Sequence, residues 1–145
     1  MKYIVEPPVL KNFKAYFFAS LTHSYAITLI FMLDISDCSS TAIGVADNST
    51  IPNDRFTAST TYNSWKFKPW YARLNGSLGW TPSSTDKVQT EWLQIDFGSS
   101  YFICAIATQG SGLHNEYVTK YKLQLSSNNK DWTYYMEGGV DRASI

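Results

Sequence analysis

The stretch from residue 91 to residue 135 restricts the fold most, because its apolar residues recur with the two-residue period of β-strands. At its start, apolar and polar residues alternate in the order Leu93, Gln94, Ile95, Asp96 and Phe97. Gly-Ser-Ser at residues 98–100 predicts a turn. The apolar run from Tyr101 to Ala107 is too short for a typical helix and predicts a buried strand.

A second alternating segment follows a polar loop at residues 109–116. The apolar face of this predicted strand comprises Tyr117, Thr119, Tyr121, Leu123 and Leu125. Residues 126–130 predict a turn, and aromatic residues from Trp132 to Met136 predict a further strand. A short strand is also expected at residues 56–59. The pattern is typical of an all-β domain.

Composition narrows the range of functions. A chain of 145 residues that is 44% hydrophobic is long and apolar enough for one globular domain. It carries 12 basic and 12 acidic residues, so no overall field would recruit nucleic acid, and an electrostatic partner must meet a local patch. We therefore expect no nucleic-acid partner.

No catalytic motif is recognisable in the sequence. It contains no Gly-x-Ser-x-Gly, no His-Glu-x-x-His, no glycine-rich phosphate loop and no Cys-x-x-Cys pair. The two histidines, His23 and His114, lie far apart. Four carboxylates are interpreted as turn, cap or surface groups, although the fold could bring them together: Asp47, Asp54, Glu91 and Asp96. We expect neither an enzyme nor a metal or other cofactor.

Separated motifs occur in an order that identifies a family. They begin at Cys38 and continue through Ile43-Gly-Val, Ile51-Pro-Asn-Asp-Arg-Phe-Thr-Ala-Ser, Ala72-Arg-Leu-Asn, Gly79-Trp-Thr-Pro, Trp92-Leu-Gln-Ile-Asp-Phe-Gly, Ile106-Ala-Thr-Gln-Gly, Tyr117-Val-Thr-Lys-Tyr-Lys-Leu and Asp131-Trp-Thr. Together they resemble the coagulation factor V/VIII type C domain, also called the discoidin domain. The resemblance implies a jelly-roll β-sandwich of galactose-binding-domain-like architecture.

The resemblance also divides the chain. Residues 38–145 correspond to a partial discoidin domain, because family members typically continue through more strands to a terminal cysteine that pairs with the first one. We therefore expect a C-terminally truncated domain that lacks its final strands, with open strand edges and without the usual partner of Cys38. Cys104 is interpreted as a buried free thiol. A Cys38–Cys104 bridge is the alternative.

Residues 1–37 form an N-terminal extension outside the family motifs. Lys11 and Lys14 precede an apolar run from Ala26 to Leu33, which matches the length of about 7 to 15 residues typical of a signal-peptide core. A signal peptide or signal anchor is one interpretation. The other is an extension that packs on nothing.

The segment from Thr60 to Arg73 has the strongest binding character. Loop-forming residues interrupt its aromatic residues, and lysines alternate with them in the order Trp65, Lys66, Phe67 and Lys68. One interpretation is an exposed tip whose rings enter a lipid interface or stack on a sugar while the lysines contact phosphate or sulfate. The alternative is that Trp65 and Trp70 fold back over the end of the sandwich.

The resemblance implies that two further loops lie beside this one, at residues 75–86 and 110–116. Leu113 is a candidate second apolar contact, and His114 is a candidate ligand-binding or pH-sensing group against the alternative of a solvated side chain. Trp80 is interpreted as a core residue. Asn48 and Asn75 begin N-glycosylation sequons, although Asn75 also suits a structural role.

In the family, such loops bind phospholipid head groups, carbohydrates or proteins. The sequence therefore predicts a secreted or cell-surface binding module with a membrane phospholipid, a glycan or a cell-surface protein as partner. The alternatives are a protein-adhesion module of a receptor or matrix protein and an accessory module of a larger enzyme. Neither the particular ligand nor the oligomeric state follows from the sequence.

Overall fold

The structure is a computed structural model that describes residues 9–17, 28–31, 44–63, 65–83, 91–102, 106–113, 116–118 and 121–135. Seven strands occur in this part: β1 (Val9–Phe17), β2 (Thr28–Phe31), β3 (Phe56–Ala58), β4 (Trp92–Phe102), β5 (Ile106–Gln109), β6 (Tyr121–Ser126) and β7 (Thr133–Tyr134). Two short 3-10 helices lie at Asn53–Arg55 and Pro69–Ala72. The all-β prediction is confirmed.

The strands form two antiparallel sheets. The larger has the order β3-β4-β1-β6-β7, and the smaller pairs β2 with β5. Strand β1 is central in the larger sheet, where Ala15 is paired with Leu93 of β4 and with Leu123 of β6. The alternative in which residues 1–37 pack on nothing is therefore wrong. The domain boundary at residue 37 and the signal-segment interpretation stay predictions.

Strand β1 determines which strands of the larger sheet are interior strands. Strands β4 and β6 are both hydrogen-bonded to β1, so neither of them is an edge of the sheet. Among the described strands, the edges of this sheet are the short strands β3 and β7. Short edge strands limit unwanted pairing with other chains.

Strand β4 forms the centre of the core, as its alternating pattern predicts. Leu93, Ile95 and Phe97 are buried, while the residues between them are only half-buried. The buried apolar residues of the described core are Val45, Ile51, Phe56, Ala72, Trp80, Leu93, Ile95, Phe97, Val118 and Leu125. Burial of one such large side chain contributes about 1.5–3 kcal/mol, so this cluster is the main source of stability.

The predicted turn at residues 98–100 is a distortion within β4 and does not end the strand. Gly98 has a φ of 74°, a conformation that favours glycine, and the register with β1 shifts between Leu10 and Asn12. Tyr101 consequently belongs to β4, whereas Ile106 opens β5 in the other sheet. The single strand predicted for residues 101–107 is therefore wrong. Cys104 lies outside the described residues, as does Cys38.

The segment before β6 also departs from its predicted pattern. Tyr117 is exposed and Val118 is buried, which is the reverse of the parity expected from the sequence. The described strand β6 comprises Tyr121–Ser126, and the reversed burial of Tyr117 and Val118 lies outside it. Leu125 is buried as predicted, and Tyr121 and Leu123 pack partly buried against the core.

Candidate binding loops

The loop at residues 60–68 is attached to the residues that follow Trp80. The Trp80 Nε1–H donates a hydrogen bond to the Thr60 carbonyl at 2.9 Å, and the Tyr62 N–H donates to the Thr81 carbonyl at 2.7 Å. Trp80 is 1% exposed, which confirms that it is a core residue. The buried indole thus fixes the base of a loop whose tip is exposed.

A tight turn at Asn63 presents the loop tip. Asn63 has a φ of 46°, which asparagine tolerates better than most residues. Its carbonyl accepts hydrogen bonds from the Lys66 N–H at 2.9 Å and the Phe67 N–H at 3.3 Å. Trp65 stands at this turn with 84% of its surface exposed. Trp65 does not fold back over the end of the sandwich, and that alternative is wrong for this residue.

The other predicted residues of this loop are placed differently. Lys66 is exposed, but Phe67 is half-buried and its ring centroid lies 5.8 Å from that of Tyr62. Lys68 Nζ lies 4.8 Å from the centroid of the half-buried Trp70 ring, so this lysine is partly engaged within the protein. The most accessible aromatic surface of the loop is therefore Trp65. Tyr62, which is 56% exposed, adds to it and was missed from the sequence.

The signal for Tyr62 was present in the sequence. It precedes Asn63 in the same aromatic run, and the loop-forming residues there predict exposure of neighbouring side chains as well.

The second and third loops lie against each other. Gln109 accepts a hydrogen bond at Oε1 from the Asn75 N–H at 3.1 Å and donates one through Nε2 to the Gly76 carbonyl at 3.4 Å. A β-carbon on Gly112 would lie only 3.6 Å from the Ser77 carbonyl oxygen, which indicates a close approach of the two loops. Hydrogen bonds also join Thr60 to Trp80 and Tyr62 to Thr81, so the three predicted loops form a connected series.

Leu113 provides a second exposed apolar side chain, in the third loop. It is 63% exposed, as a contact residue would need to be. His114 lies outside the described residues, so its predicted role stays a prediction.

A buried carboxylate supports the first loop from behind. Glu91 is 3% exposed and accepts hydrogen bonds at Oε2 from the Ser59 hydroxyl and, at 2.7 Å, from the Thr60 hydroxyl. Thr60 Oγ1 in turn accepts from the Ser83 N–H at 3.0 Å. The interpretation of Glu91 as a turn, cap or surface group is wrong. Glu91 directly precedes β4, and the start of the first loop covers it. Glu91 positions this loop by hydrogen bonding.

Asp47 has the turn role expected of it. Its carboxylate accepts from the Ser49 N–H at 2.9 Å, the Ser49 hydroxyl at 2.6 Å and the Thr50 hydroxyl at 2.9 Å. These hydrogen bonds hold the pKa of Asp47 below its ordinary value, and the bond from the Ser49 hydroxyl has the largest effect.

We expect this interaction to contribute to stability at neutral pH and to be lost in acid. Because the folded-state pKa is lowered, the contribution is complete above the unfolded-state pKa, about 3.9, and disappears as the pH falls through the folded-state value. Asp47→Asn should therefore lower the melting temperature at pH 6, and the gap from wild type should narrow below pH 4. Thermal unfolding followed by circular dichroism at several pH values measures this, and a gap that is constant with pH would contradict it.

Both sequon asparagines are exposed. Asn75 has a φ of 63°, which gives it the structural role considered from the sequence, while its side chain lies at the surface. Asn48 Oδ1 accepts a long hydrogen bond of 3.4 Å from Arg73 Nη2. Asn48 and Asn75 also line one open pocket of about 750 Å³, together with Trp70 and Tyr71. Glycosylation at either asparagine stays a prediction.

Arg73 connects the turn-rich segment at residues 45–53 to the core. Its guanidinium donates to the Val45 carbonyl and the Ile51 carbonyl, both at 2.6 Å, and to Asn53 Oδ1 at 2.9 Å. Burial lowers the pKa of Arg73, and the charge of Asp47 opposes that shift. The Arg73 Cζ also lies 4.4 Å from the centroid of the Phe56 ring. Arg73 is thus a structural residue, and sequence analysis did not single it out.

In the described ranges, no helix is long and apolar enough to span a bilayer. The same ranges contain no group of three or more His, Cys, Asp or Glu side chains placed to hold a metal ion.

Comparison with known proteins identifies the class. The F5/8 type C domain model matches residues 55–144. Lactadherin of Sus scrofa is 38% identical over 122 residues, which cover 77% of this chain and 29% of that protein. Lactadherin of Bos taurus is 35% identical over 113 residues, covering 71% of this chain and 26% of that protein. Neuropilin-2 of Homo sapiens is 36% identical over 97 residues, covering 63% of this chain and 10% of that protein. No solved structure matches significantly.

The chain belongs to the F5/8 type C, or discoidin, domain family, as the order of its motifs predicted. Its fold class is that family's jelly-roll β-sandwich, and it is in the broad sense a binding module. The chain spans less than a third of the length of each of these relatives.

Proposed function

We propose that this chain is a non-catalytic extracellular module that binds anionic phospholipid head groups through the loop at residues 60–68. The observation that carries the proposal is the position of Trp65, which is 84% exposed at the tip of a loop whose base is fixed to the core. A large exposed indole on a rigid base is suited to the membrane interface, where its apolar body leaves water and its N–H stays hydrated.

The chemistry around Trp65 fits a charged lipid surface. Lys66 is adjacent and exposed, and Lys68 follows two residues later. A lysine near an anionic bilayer contributes about 1 kcal/mol of binding free energy. In this arrangement Trp65 supplies apolar insertion and the lysines supply attraction to lipid phosphate.

Other exposed groups extend the proposed surface. Tyr62 flanks the tip of the same loop, and Leu113 presents an apolar side chain from the third loop. Two or more shallow contacts strengthen membrane association, because each buried CH₂ group adds about 0.8 kcal/mol. An extracellular location agrees with this use and with the sequons at Asn48 and Asn75.

We expect Lys66→Gln together with Lys68→Gln to weaken binding to anionic vesicles about tenfold at low salt, which is less than two full lysine contributions because Lys68 is partly engaged by Trp70. Binding of the 145-residue chain to vesicles with and without phosphatidylserine, measured by co-sedimentation at several salt concentrations, tests this. Added salt should weaken wild type more than the double variant.

The same assay separates the competing ligands. Equal binding to neutral and anionic vesicles would contradict the lysine role. A folded chain that binds no vesicle but binds a glycan array would replace lipid with carbohydrate. Absence of both would favour protein adhesion, for which Trp65→Ala would reduce binding without dependence on lipid composition.

A further inference from the structure

The central strand of the larger sheet comes from a distant part of the sequence. Strand β1 comprises Val9–Phe17, outside the family match at residues 55–144, yet it lies between two strands of that match. It pairs with β4 from Val9↔Phe102 to Tyr16↔Trp92 and with β6 from Asn12↔Ser126 to Phe17↔Tyr121. Both ladders are antiparallel.

In this arrangement β1 fills the position between β4 and β6, which we call the groove, and pairs antiparallel with both strands. Each wall offers a row of backbone N–H and C=O groups, which must be paired or exposed as a sheet edge. Recognition through backbone groups depends mainly on strand direction and register, and much less on which chain supplies the strand. The groove is consequently a strand-acceptor site.

Pairing within one chain requires a long-range closure. Strand β1 must find β4 and β6 across most of the sequence, and such non-local contacts form late because loop closure costs entropy that grows with loop length. A chain in which β1 has not yet paired leaves both walls of the groove open. A β1 segment on a second copy carries the same nine residues, so it meets the same groove with the same complementarity.

We propose that residues 9–17 of a second copy of this chain fill the groove by exchange, giving a symmetric strand-swapped dimer. Residues 18–27 separate β1 from β2, and ten fully extended residues reach at most about 33–36 Å, which is the largest separation that the exchange can bridge. Each copy gives one strand and receives one, so the assembly closes as a dimer and keeps all the pairing of the monomer.

Cysteine cross-linking in the full chain tests the groove and the exchange separately. Both native cysteines are first removed by Cys38→Ser and Cys104→Ser. Two double variants are then made, one with Lys14→Cys and Gln124→Cys and the other with Lys14→Cys and Gln94→Cys. Lys14 pairs with Gln124 of β6 and with Gln94 of β4, and directly opposed residues have β-carbons about 4.5–5.5 Å apart. Disulfides in both double variants are expected only for a strand that lies between β4 and β6.

For the exchange, a chain carrying only Lys14→Cys is refolded with a differently tagged chain carrying only Gln124→Cys. We expect a mixed disulfide dimer whose yield rises with concentration and exceeds that from a matched Lys66→Cys partner, because Lys66 lies outside the sheet. Light scattering of the unmodified chain should show a dimer that forms on refolding at high concentration.

Three results would overturn the proposal. Failure of both double variants to cross-link would remove β1 from the groove. Cross-links within single chains, with no excess over the Lys66→Cys control in the mixture, would restrict β1 to its own chain. A monomer at every concentration in light scattering would do the same without relying on cysteine variants.

Discussion

Replacing Trp65 with Ala should weaken binding to anionic vesicles about 30-fold, with little change in the stability of the fold. Trp65 is 84% exposed, so the substitution removes almost no buried contact from the folded protein. The loop turn also remains, because it is held by backbone hydrogen bonds to the Asn63 carbonyl. An effect on binding can therefore be separated from an effect on folding.

The size of the effect follows from the area of the indole. A tryptophan buries about 150–250 Å² when it is fully removed from water, and each Å² contributes about 25 cal/mol. Partial insertion of the ring into the interface then contributes about 2 kcal/mol, which corresponds to the 30-fold change. This exceeds the expected effect of the two lysine substitutions.

Tyr135→Ala is the matched control for this experiment. Tyr135 is 47% exposed, beside the edge strand β7 and outside the three loops. Vesicle binding of Tyr135→Ala should equal that of wild type. Trp65→Ala and Tyr135→Ala should unfold at urea concentrations similar to each other. Equal loss of binding in the two variants would contradict a specific role for the loop tip, and unchanged binding of Trp65→Ala would remove the proposed anchor.

The strands that depend on local pattern were predictable from the sequence. Strand β4 follows its alternating residues because one face packs on the core, and Leu93 and Ile95 are fully buried as that pattern requires. Trp80 was also assigned correctly, although on motif resemblance and not on periodicity. Strand β3 was found where aromatic and β-branched residues end a turn-rich segment.

Features that depend on distant pairing were not predictable. Nothing in the pattern of residues 9–17 indicates that β4 and β6 flank them in the sheet. The prediction for Glu91 was wrong for a related reason. Its buried carboxylate is bound by the hydroxyl groups of Ser59 and Thr60, which lie far away in the sequence. Sequence periodicity reports the faces of a strand and not its neighbours.

The candidate site was partly predictable. A run of aromatic residues among loop formers predicted exposure, and Trp65 and Leu113 are exposed. The same run gave no means of separating Trp65 from Phe67, because the packing of Phe67 on Tyr62 depends on how the turn at Asn63 folds. Binding by Trp65, Lys66, Phe67, Lys68 and Leu113 stays a prediction.

Replacing Arg73 with Ala should lower the free energy of unfolding by about 3 kcal/mol. Hydrogen bonds to a charged group contribute about 1.5–3 kcal/mol each, and the loss is smaller than their sum because water replaces some of them. The guanidinium donates to the carbonyls of two residues that are 1% exposed, Val45 and Ile51. Its removal leaves these carbonyls without their partner and also removes the contact with Phe56. The expected loss is a large part of a typical stability of about 5–15 kcal/mol.

Arg73→Lys distinguishes geometry from charge at this position. A lysine keeps the positive charge but cannot reproduce the planar fork that reaches two carbonyls and Asn53 at once, so about 2 kcal/mol should still be lost. Arg55→Ala is the matched control, because the Arg55–Asp96 ion pair has side chains 44% and 33% exposed and should contribute about 0–1 kcal/mol. Urea unfolding followed by tryptophan fluorescence measures all three variants. Equal losses for Arg73→Ala and Arg55→Ala would mean that Arg73 is a surface contact and that the turn at residues 45–51 is held by its own backbone.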